Sequence, residues 1–235
     1  MRGDGRVALV TGLPGGIGGA SVEALGAAGW AVAPRTDRER ELSVDLTHSN
    51  DVTELVGLVL GRLGRLDLVV SCPAAFALAP VDVHSVDDWW RVIDANLGGS
   101  FRLARATAPH LLTTGGSLVF VSSEWALTGW AGATAYCASM AGLVGLTKAL
   151  ARELAPHVRV NAVAPGIVDS PQLAVDAESA GLSEDEIKRQ YAETAPLRRI
   201  AAPAEIAATI LFLASDDASY YTGQVLSPNG GRTRA

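Results

Sequence analysis

A hydroxyl and a phenol stand in the sequence at a spacing that suits proton transfer. Ser123 ends an apolar run, and Tyr136 follows it by thirteen positions, in a segment of helical composition. A phenol can give a proton to a carbonyl oxygen or take one from an alcohol, and a nearby hydroxyl can hold that oxygen by a hydrogen bond. The pair therefore predicts general acid–base chemistry.

The position one helical turn beyond the phenol is Met140, whose side chain carries no charge. A cation beside Tyr136 would lower the pKa of the phenol from about 10, and methionine cannot do so. Lys148 follows at roughly 12 Å along a helix, too far to act on the same group. Met140 is either apolar filler or the mark of a site whose proton chemistry is lost or changed, and both interpretations remain open.

The composition predicts one globular domain over residues 1–235. Hydrophobic residues make up 49 % of the chain and charged residues 19 %, which suits one large core. A net charge of -6 argues against nucleic acid and anionic membranes as partners. Cys72 and Cys137 have neither the spacing of a disulfide framework nor that of a metal site. With no signal-peptide pattern at residues 1–12, we expect a cytoplasmic protein without a bound metal.

Short apolar runs alternate with longer segments of helical periodicity. The runs are RVALVTG, WAVAP, LDLVVSC, GSLVFVSS, VRVNAVAPG and GQVLSPNGG. This alternation predicts an α/β fold, a single Rossmann-like doubly wound parallel sheet with helices on both faces. Residues 85–112 are predicted as one long helix that Ser85 caps. Residues 169–196 form the least regular stretch, and we expect a mobile substrate lid there.

The first apolar run ends in the glycine-rich segment VALVTGLPGGIGGA. Gly12, Gly16 and Gly18 would let the backbone approach a pyrophosphate, whose charge the next helix N-terminus would face. Three residues separate Gly12 from Gly16, so the spacing is not G-x-G-x-x-G. A glycine-rich turn without a ligand is the alternative, but the place between first strand and first helix favours phosphate binding.

These motifs, in this order, resemble the short-chain dehydrogenase/reductase family over nearly the whole chain. TGLPGGIG is similar to the family's T-G-x-x-x-G-x-G motif. The further matches are VDL at Asp45, NLGGSF at Asn96, the Ser123 and Tyr136 pair, RVNAVAPGIVDSP and GQVLSPNGG. The resemblance implies an NAD or NADP cofactor, a small carbonyl or alcohol substrate, and a homodimer or homotetramer.

The resemblance also implies roles for single residues. Tyr136 would move the proton, Ser123 would hydrogen-bond the substrate oxygen, and Asn96 would hold a water. Ser170 stands where the family usually has threonine and keeps the hydroxyl. The residues implied to bind the dinucleotide are Gly12, Gly16, Ile17, Gly18, Arg35, Asp45, Leu46, Ala74, Tyr136, Pro165, Gly166, Val168 and Ser170.

Two departures from the family pattern bear on function. Met140 replaces the family's lysine, which binds the nicotinamide ribose and favours the tyrosinate. Ser71-Cys72-Pro73-Ala74 replaces Asn-Asn-Ala-Gly, so Pro73 removes a backbone donor near the adenosine. We expect a reductase or dehydrogenase with altered activity. The alternatives are a non-redox enzyme similar to halohydrin dehalogenases, and a protein that only binds the dinucleotide.

The segment after the second strand sets the choice between NAD and NADP. Thr36 stands at the acidic position that would bind a ribose 2′-hydroxyl, and Arg35 and Arg38 would suit a 2′-phosphate. These residues favour NADP. Gly15 argues for NAD, because family members specific for the phosphate often have a basic residue there. Trp125 and Trp130 flank the predicted site, as packing residues or as an aromatic substrate wall.

Overall fold

The computed structural model describes residues 5–12, 15–33 and 44–233. Within these ranges, six parallel strands form one sheet in the order β2-β1-β3-β4-β5-β6. The strands are β1 Val7–Val10, β2 Ala31–Val32, β3 Leu68–Ser71, β4 Ser117–Val121, β5 Arg159–Val163 and β6 Val225–Leu226. All residues of β1, β3 and β4 are buried, and apart from Ser71 and Ser117 at strand ends they are apolar, as expected for strands covered on both faces.

Helices cover both faces of this sheet. They are α1 Ile17–Ala27, α2 Ser49–Leu63, α3 Val86–Ile93, α4 Gly99–Thr114, α5 Trp125–Thr128, α6 Thr134–Glu153, α7 Gln172–Ala180, α8 Glu184–Thr194 and α9 Pro203–Ala214. One core lies under α2, α4 and α6, and the other under α1 and α9. The predicted Rossmann-like α/β fold is confirmed. No helix in the described part of the chain is long and apolar enough to cross a membrane.

The long helix predicted over residues 85–112 is interrupted. Ser85 caps α3 as expected, since its Oγ accepts a hydrogen bond from the Asp88 N–H at 3.4 Å. A π-helical turn, Asp94–Gly98, then separates α3 from α4. Such turns change the register of a helix and are frequent at functional sites. Here the turn carries Asn96.

Residues 169–196 are more regular than expected, because they contain α7 and α8. The Ser183 Oγ accepts a hydrogen bond from the Glu186 N–H, and the Glu186 carboxylate accepts one from the Ser183 N–H. This capping box stabilises the start of α8. An ion pair of 2.8 Å between Lys188 and Asp169 ties α8 to the segment after β5. The role of this helix pair as a substrate lid stays a prediction.

Asp67 joins three strands at the amino end of the sheet. Its Oδ2 accepts hydrogen bonds from the Val7 N–H at 2.8 Å and from Arg65 Nε at 2.8 Å. Its backbone N–H donates to the Val7 carbonyl and its carbonyl accepts from the Ser117 N–H. The side chain is only 5 % exposed. This residue therefore fixes the register of β1, β3 and β4 far from the strands' carboxyl ends.

We predict that Asp67→Ala lowers the free energy of unfolding by about 2 to 3 kcal/mol, because it leaves a buried N–H and a guanidinium without their acceptor. Urea denaturation measures the loss. Asp82→Ala is the matched control, since Asp82 is exposed in a turn, and it should change stability by less than about 0.5 kcal/mol. Equal effects of the two substitutions would contradict the role given to Asp67.

Candidate active site

A cavity of about 340 Å³ lies at the carboxyl ends of β1, β3, β4 and β5. Ligands of open parallel sheets bind at this edge. The cavity collects most of the site residues that the sequence predicts. Those in its wall are Gly16, Ile17, Gly18, Ala74, Ser123, Tyr136, Pro165, Gly166, Val168 and Ser170.

The glycine loop fits a dinucleotide pyrophosphate. A Cβ on Gly12 would lie 2.7 Å from the Cys72 Cβ, and its φ of +124° is itself unfavourable for other residues. A Cβ on Gly18 would lie 3.2 Å from the Thr11 carbonyl oxygen. Helix α1 then starts after Gly16 with no side-chain cap and no acidic residue in its first turn. Its first N–H groups therefore remain available to an anion.

Asp45 and Leu46 do not belong to the cavity wall. The Asp45 carboxylate accepts a hydrogen bond from the Thr47 N–H at 2.8 Å and lies 3.2 Å from His48 Nδ1. The Thr47 hydrogen bond holds the pKa of Asp45 below its ordinary value. Leu46 packs against Gly99, where a Cβ would lie 3.0 Å from that of Leu46. Their contact with the adenine stays a prediction.

The segment predicted to choose between NAD and NADP cannot be placed against the cavity. Arg35, Thr36, Asp37 and Arg38 lie outside the described residues. Pro73 and Ala74, the departure after β3, both line the cavity.

Ser123 and Tyr136 meet in the cavity from different elements. Ser123 follows β4, and its Oγ accepts a hydrogen bond from the Trp125 N–H at 3.2 Å. Tyr136 lies in the first turn of α6. Helix α6 is tied to the end of β4 because the Ser122 hydroxyl donates to the Met140 carbonyl at 2.9 Å. This contact fixes the phenol and the hydroxyl relative to one another.

The surroundings of Tyr136 favour the neutral phenol. Burial raises the pKa of Tyr136 to about 12, and the charges of Cys137 and Asp176 act in the same direction. Hydrogen bonding from Ser123 lowers the pKa but does not reverse the effect. The phenol therefore keeps its proton at neutral pH and can donate it.

The side chain of Met140 lies in the core and not in the cavity wall. It is 1 % exposed and belongs to the same apolar cluster as Phe120 and Leu143. This placement agrees with the interpretation of Met140 as apolar filler. Lys148 is exposed on the same helix. Among the described residues that line the cavity there is no lysine or arginine.

Asn96 lies behind the cavity wall, fully buried. Its Nδ2 donates to the Ala75 carbonyl at 2.8 Å and lies 3.0 Å from the Ser139 Oγ, and its Oδ1 accepts from the Ala75 N–H at 2.9 Å. Ser139 in turn donates to the Tyr136 carbonyl. The amide of Asn96 thus positions the segment after β3 and the start of α6. A bound water at Asn96 stays a prediction.

An aromatic wall encloses the phenol. The rings of Phe76 and Tyr136 meet edge to face with centroids 5.0 Å apart, and Trp125 stacks on Trp130 at 4.7 Å. The sequence singled out the two tryptophans but not Phe76. The position of Phe76, shortly after β3 ends at the same sheet edge, is the signal that could have found it.

Two acidic residues of the cavity wall were also missed, Glu124 and Asp176. Glu124 is 1 % exposed and forms an ion pair with Arg232. Burial raises the pKa of Glu124, and Arg232 opposes that shift. The Arg232 guanidinium also lies 5.4 Å from the centroid of the Trp130 ring. The C-terminal segment is therefore fixed beside the cavity. The position of Glu124 directly after Ser123 was the signal in the sequence that could have placed Glu124 in the site.

Comparison with known proteins agrees with this architecture. A family model described as Enoyl-(Acyl carrier protein) reductase matches residues 15–233. The 3-oxoacyl-[acyl-carrier-protein] reductase FabG of Thermotoga maritima is 35 % identical over 98 % of this chain and 99 % of its own length. The acetoacetyl-CoA reductase of an Acinetobacter species is 36 % identical over 96 % of this chain and 97 % of its own length. The short-chain reductase protein NovJ of Streptomyces niveus is 34 % identical over 96 % of this chain and 93 % of its own length.

A solved structure shares the whole fold. The aldohexose dehydrogenase of Thermoplasma acidophilum, solved in ligand-free form, superimposes with a TM-score of 0.93 at 28 % identity. The match covers 100 % of this chain and 98 % of that one. The chain therefore belongs to the short-chain dehydrogenase/reductase family and is an NAD(P)-dependent oxidoreductase that acts on a carbonyl or alcohol group.

Proposed function

We propose that this chain reduces a ketone or aldehyde to an alcohol, with Tyr136 as the proton donor. One observation carries the proposal. Ser123 and Tyr136 line one cavity beside a glycine loop that fits a dinucleotide, and the phenol, with its pKa raised to about 12, retains its proton. The similarity to a 3-oxoacyl-[acyl-carrier-protein] reductase and an acetoacetyl-CoA reductase supports a carbonyl substrate.

The residues of the cavity divide the chemistry among them. A bound reduced nicotinamide supplies the hydride that adds to the carbonyl carbon. The Ser123 hydroxyl donates a hydrogen bond to the carbonyl oxygen, which orients the substrate and stabilises the negative charge that develops there. The Tyr136 phenol gives its proton to the same oxygen, so that one hydride and one proton complete the alcohol.

The dinucleotide would lie between the glycine loop and the end of β5. Gly12, Gly16 and Gly18 would hold the pyrophosphate, and Pro165, Gly166 and Ser170 would lie against the nicotinamide. Arg35 and Arg38 support NADP as the preferred form. We further propose a homodimer or homotetramer.

The lack of a cation in the described cavity wall favours a second candidate, a protein that binds the dinucleotide with little or no turnover. With Met140 at the family's lysine position, neither the ribose nor the phenol receives a cation from that side chain. A non-redox activity similar to halohydrin dehalogenases is the third candidate. Those enzymes have arginine at this position and an aromatic residue where this chain has Gly16, so both differences argue against it.

Removing the phenol tests the proposed reduction. We predict that Tyr136→Phe retains NADPH binding, measured by fluorescence titration, and loses ketone reduction by at least about a hundredfold. Absence of turnover by the natural chain against a ketone panel, with NADPH bound, would support the dinucleotide-binding candidate. Unaltered reduction by Tyr136→Phe would contradict the role of Tyr136.

The two directions of the reaction should differ in their dependence on pH. Reduction uses the neutral phenol, which prevails below a pKa of about 12, so its rate should stay level between pH 6 and 9. Oxidation needs the tyrosinate, whose fraction rises about tenfold per pH unit below that pKa. Initial rates in both directions measure this difference. An oxidation rate that levels off near pH 7 would show that the phenol ionises there.

A cation restored at the family position should act mainly on oxidation. We predict that Met140→Lys raises the rate of alcohol oxidation at least about tenfold more than that of ketone reduction, because each unit of pKa depression is worth about 1.4 kcal/mol. The variant should also be less stable, since Met140 is buried among apolar residues. Met140→Leu is the uncharged control and should leave the ratio of the two rates unchanged. Equal changes in the rates of oxidation and reduction would contradict the effect expected of a cation at position 140.

A further inference from the structure

We propose that Asp176 selects carbonyl substrates that carry a hydrogen-bond donor, a protonated amine or a hydroxyl, away from the reacting carbonyl. The proposal rests on the proposed function, because it assumes that Ser123 and Tyr136 hold the carbonyl end of the substrate. In this proposal, helix α7 recognises the end of the substrate that lies away from the reacting carbonyl.

The placement of Asp176 is unusual for a carboxylate. It lies on the buried side of α7, beside Leu173 and Ala177, and is 8 % exposed. It lines the same cavity as Tyr136, and its charge contributes to the raised pKa of that phenol. A carboxylate in such a position is costly unless a partner compensates its charge.

The protein compensates Asp176 only in part. Gln172 Nε2 donates to its Oδ1 at 3.1 Å, and the Tyr191 hydroxyl donates to its Oδ2 at 3.2 Å. A carboxylate offers about four lone-pair sites, so these two contacts leave room for a further donor. Both donors are neutral, and Asp176 has no ion-pair partner among residues 5–12, 15–33 and 44–233.

The other charges near the cavity are already paired. Glu124, the second carboxylate of the wall, forms its ion pair with Arg232. Lys188 pairs with Asp169, and neither of them lines the cavity. Among the described acidic residues of the cavity wall, Asp176 is therefore the one without a cationic partner. A ligand with a cationic or hydroxyl donor would complete its hydrogen bonding, whereas a carboxylate or phosphate would meet a like charge.

The rest of the wall defines the body of the substrate. Phe76, Trp125, Leu173 and Val175 present apolar surface. Such a lining with few polar groups is typical of small-molecule sites in which the polar groups set orientation. The structure thus fits an aryl or other apolar ketone whose one polar substituent is a donor.

Three ketones of similar shape test this assignment: 4-(aminomethyl)acetophenone, 4-ethylacetophenone and 4-acetylbenzoate. The dissociation constants of the three ketones are measured by calorimetry with and without NADP⁺. The oxidised cofactor is used because it cannot reduce the ketones. The full-length chain should bind the amine most tightly and the carboxylate most weakly. In Asp176→Asn the preference for the amine over the ethyl compound should fall about tenfold.

Control variants separate recognition from the packing of α7. Asp176→Glu keeps the charge and should keep the order of affinities. Glu178→Gln removes an exposed charge from the same helix and should change nothing. Tyr191→Phe removes a neutral partner of Asp176 and should keep the preference for the amine. Melting temperatures of all variants show whether the helix pair stays folded.

Several outcomes would overturn the assignment. They are an unchanged preference in Asp176→Asn, tighter binding of the carboxylate than of the amine, and no binding of any of the three ketones. Turnover of the same ketones with NADPH is measured separately. If the order of binding is as expected but no ketone is reduced, the proposed reduction fails while the recognition by Asp176 stands.

Discussion

Burial of the sheet on both faces is the constraint on which this structure depends. The interior positions of β1, β3 and β4 are apolar, and the buried polar residues Ser71 and Ser117 stand at strand ends, where the two edges of the sheet differ. At the amino end, Asp67 holds three strands in register. At the carboxyl end, the same register brings Gly12 against Cys72 so closely that no larger residue fits. The hydrogen bonds of Asp67 thus lie at one edge of the sheet and the proposed ligand site at the other.

At the carboxyl edge, burial outweighs the hydrogen bond from Ser123 that lowers the pKa of Tyr136. Burial raises the pKa of Tyr136, and the nearby carboxylate of Asp176 adds to that effect. One turn after Tyr136, the uncharged side chain of Met140 packs into the core. Arg232, beside the cavity, is paired with Glu124. The raised pKa keeps the phenol of Tyr136 neutral, which is the form that the proposed reduction uses.

Much of the fold and of the candidate site could be predicted from the sequence because it depends on local sequence patterns. Buried strands are apolar runs, and the glycine loop, Ser123 and Tyr136 follow strand ends. The features that were missed depend on distant partners. Tertiary packing determines three of them: the interruption of the helix after Ile93, the hydrogen bonds that occupy Asn96, and the inward position of Asp176. Because α7 mixes polar and apolar residues, its sequence does not indicate that Asp176 faces inward. The capping box at Ser183 and Glu186 was a local signal that could have predicted α8.

The ion pair between Glu124 and Arg232 links two distant parts of the chain, since its partners are 108 residues apart in sequence. Closing a loop of that length costs entropy, which contacts of the folded molecule must offset. The cavity beside this ion pair is itself lined by residues that range from Gly16 in the glycine loop to Asp176 in α7. An intact cavity therefore requires that elements from both halves of the chain are packed together.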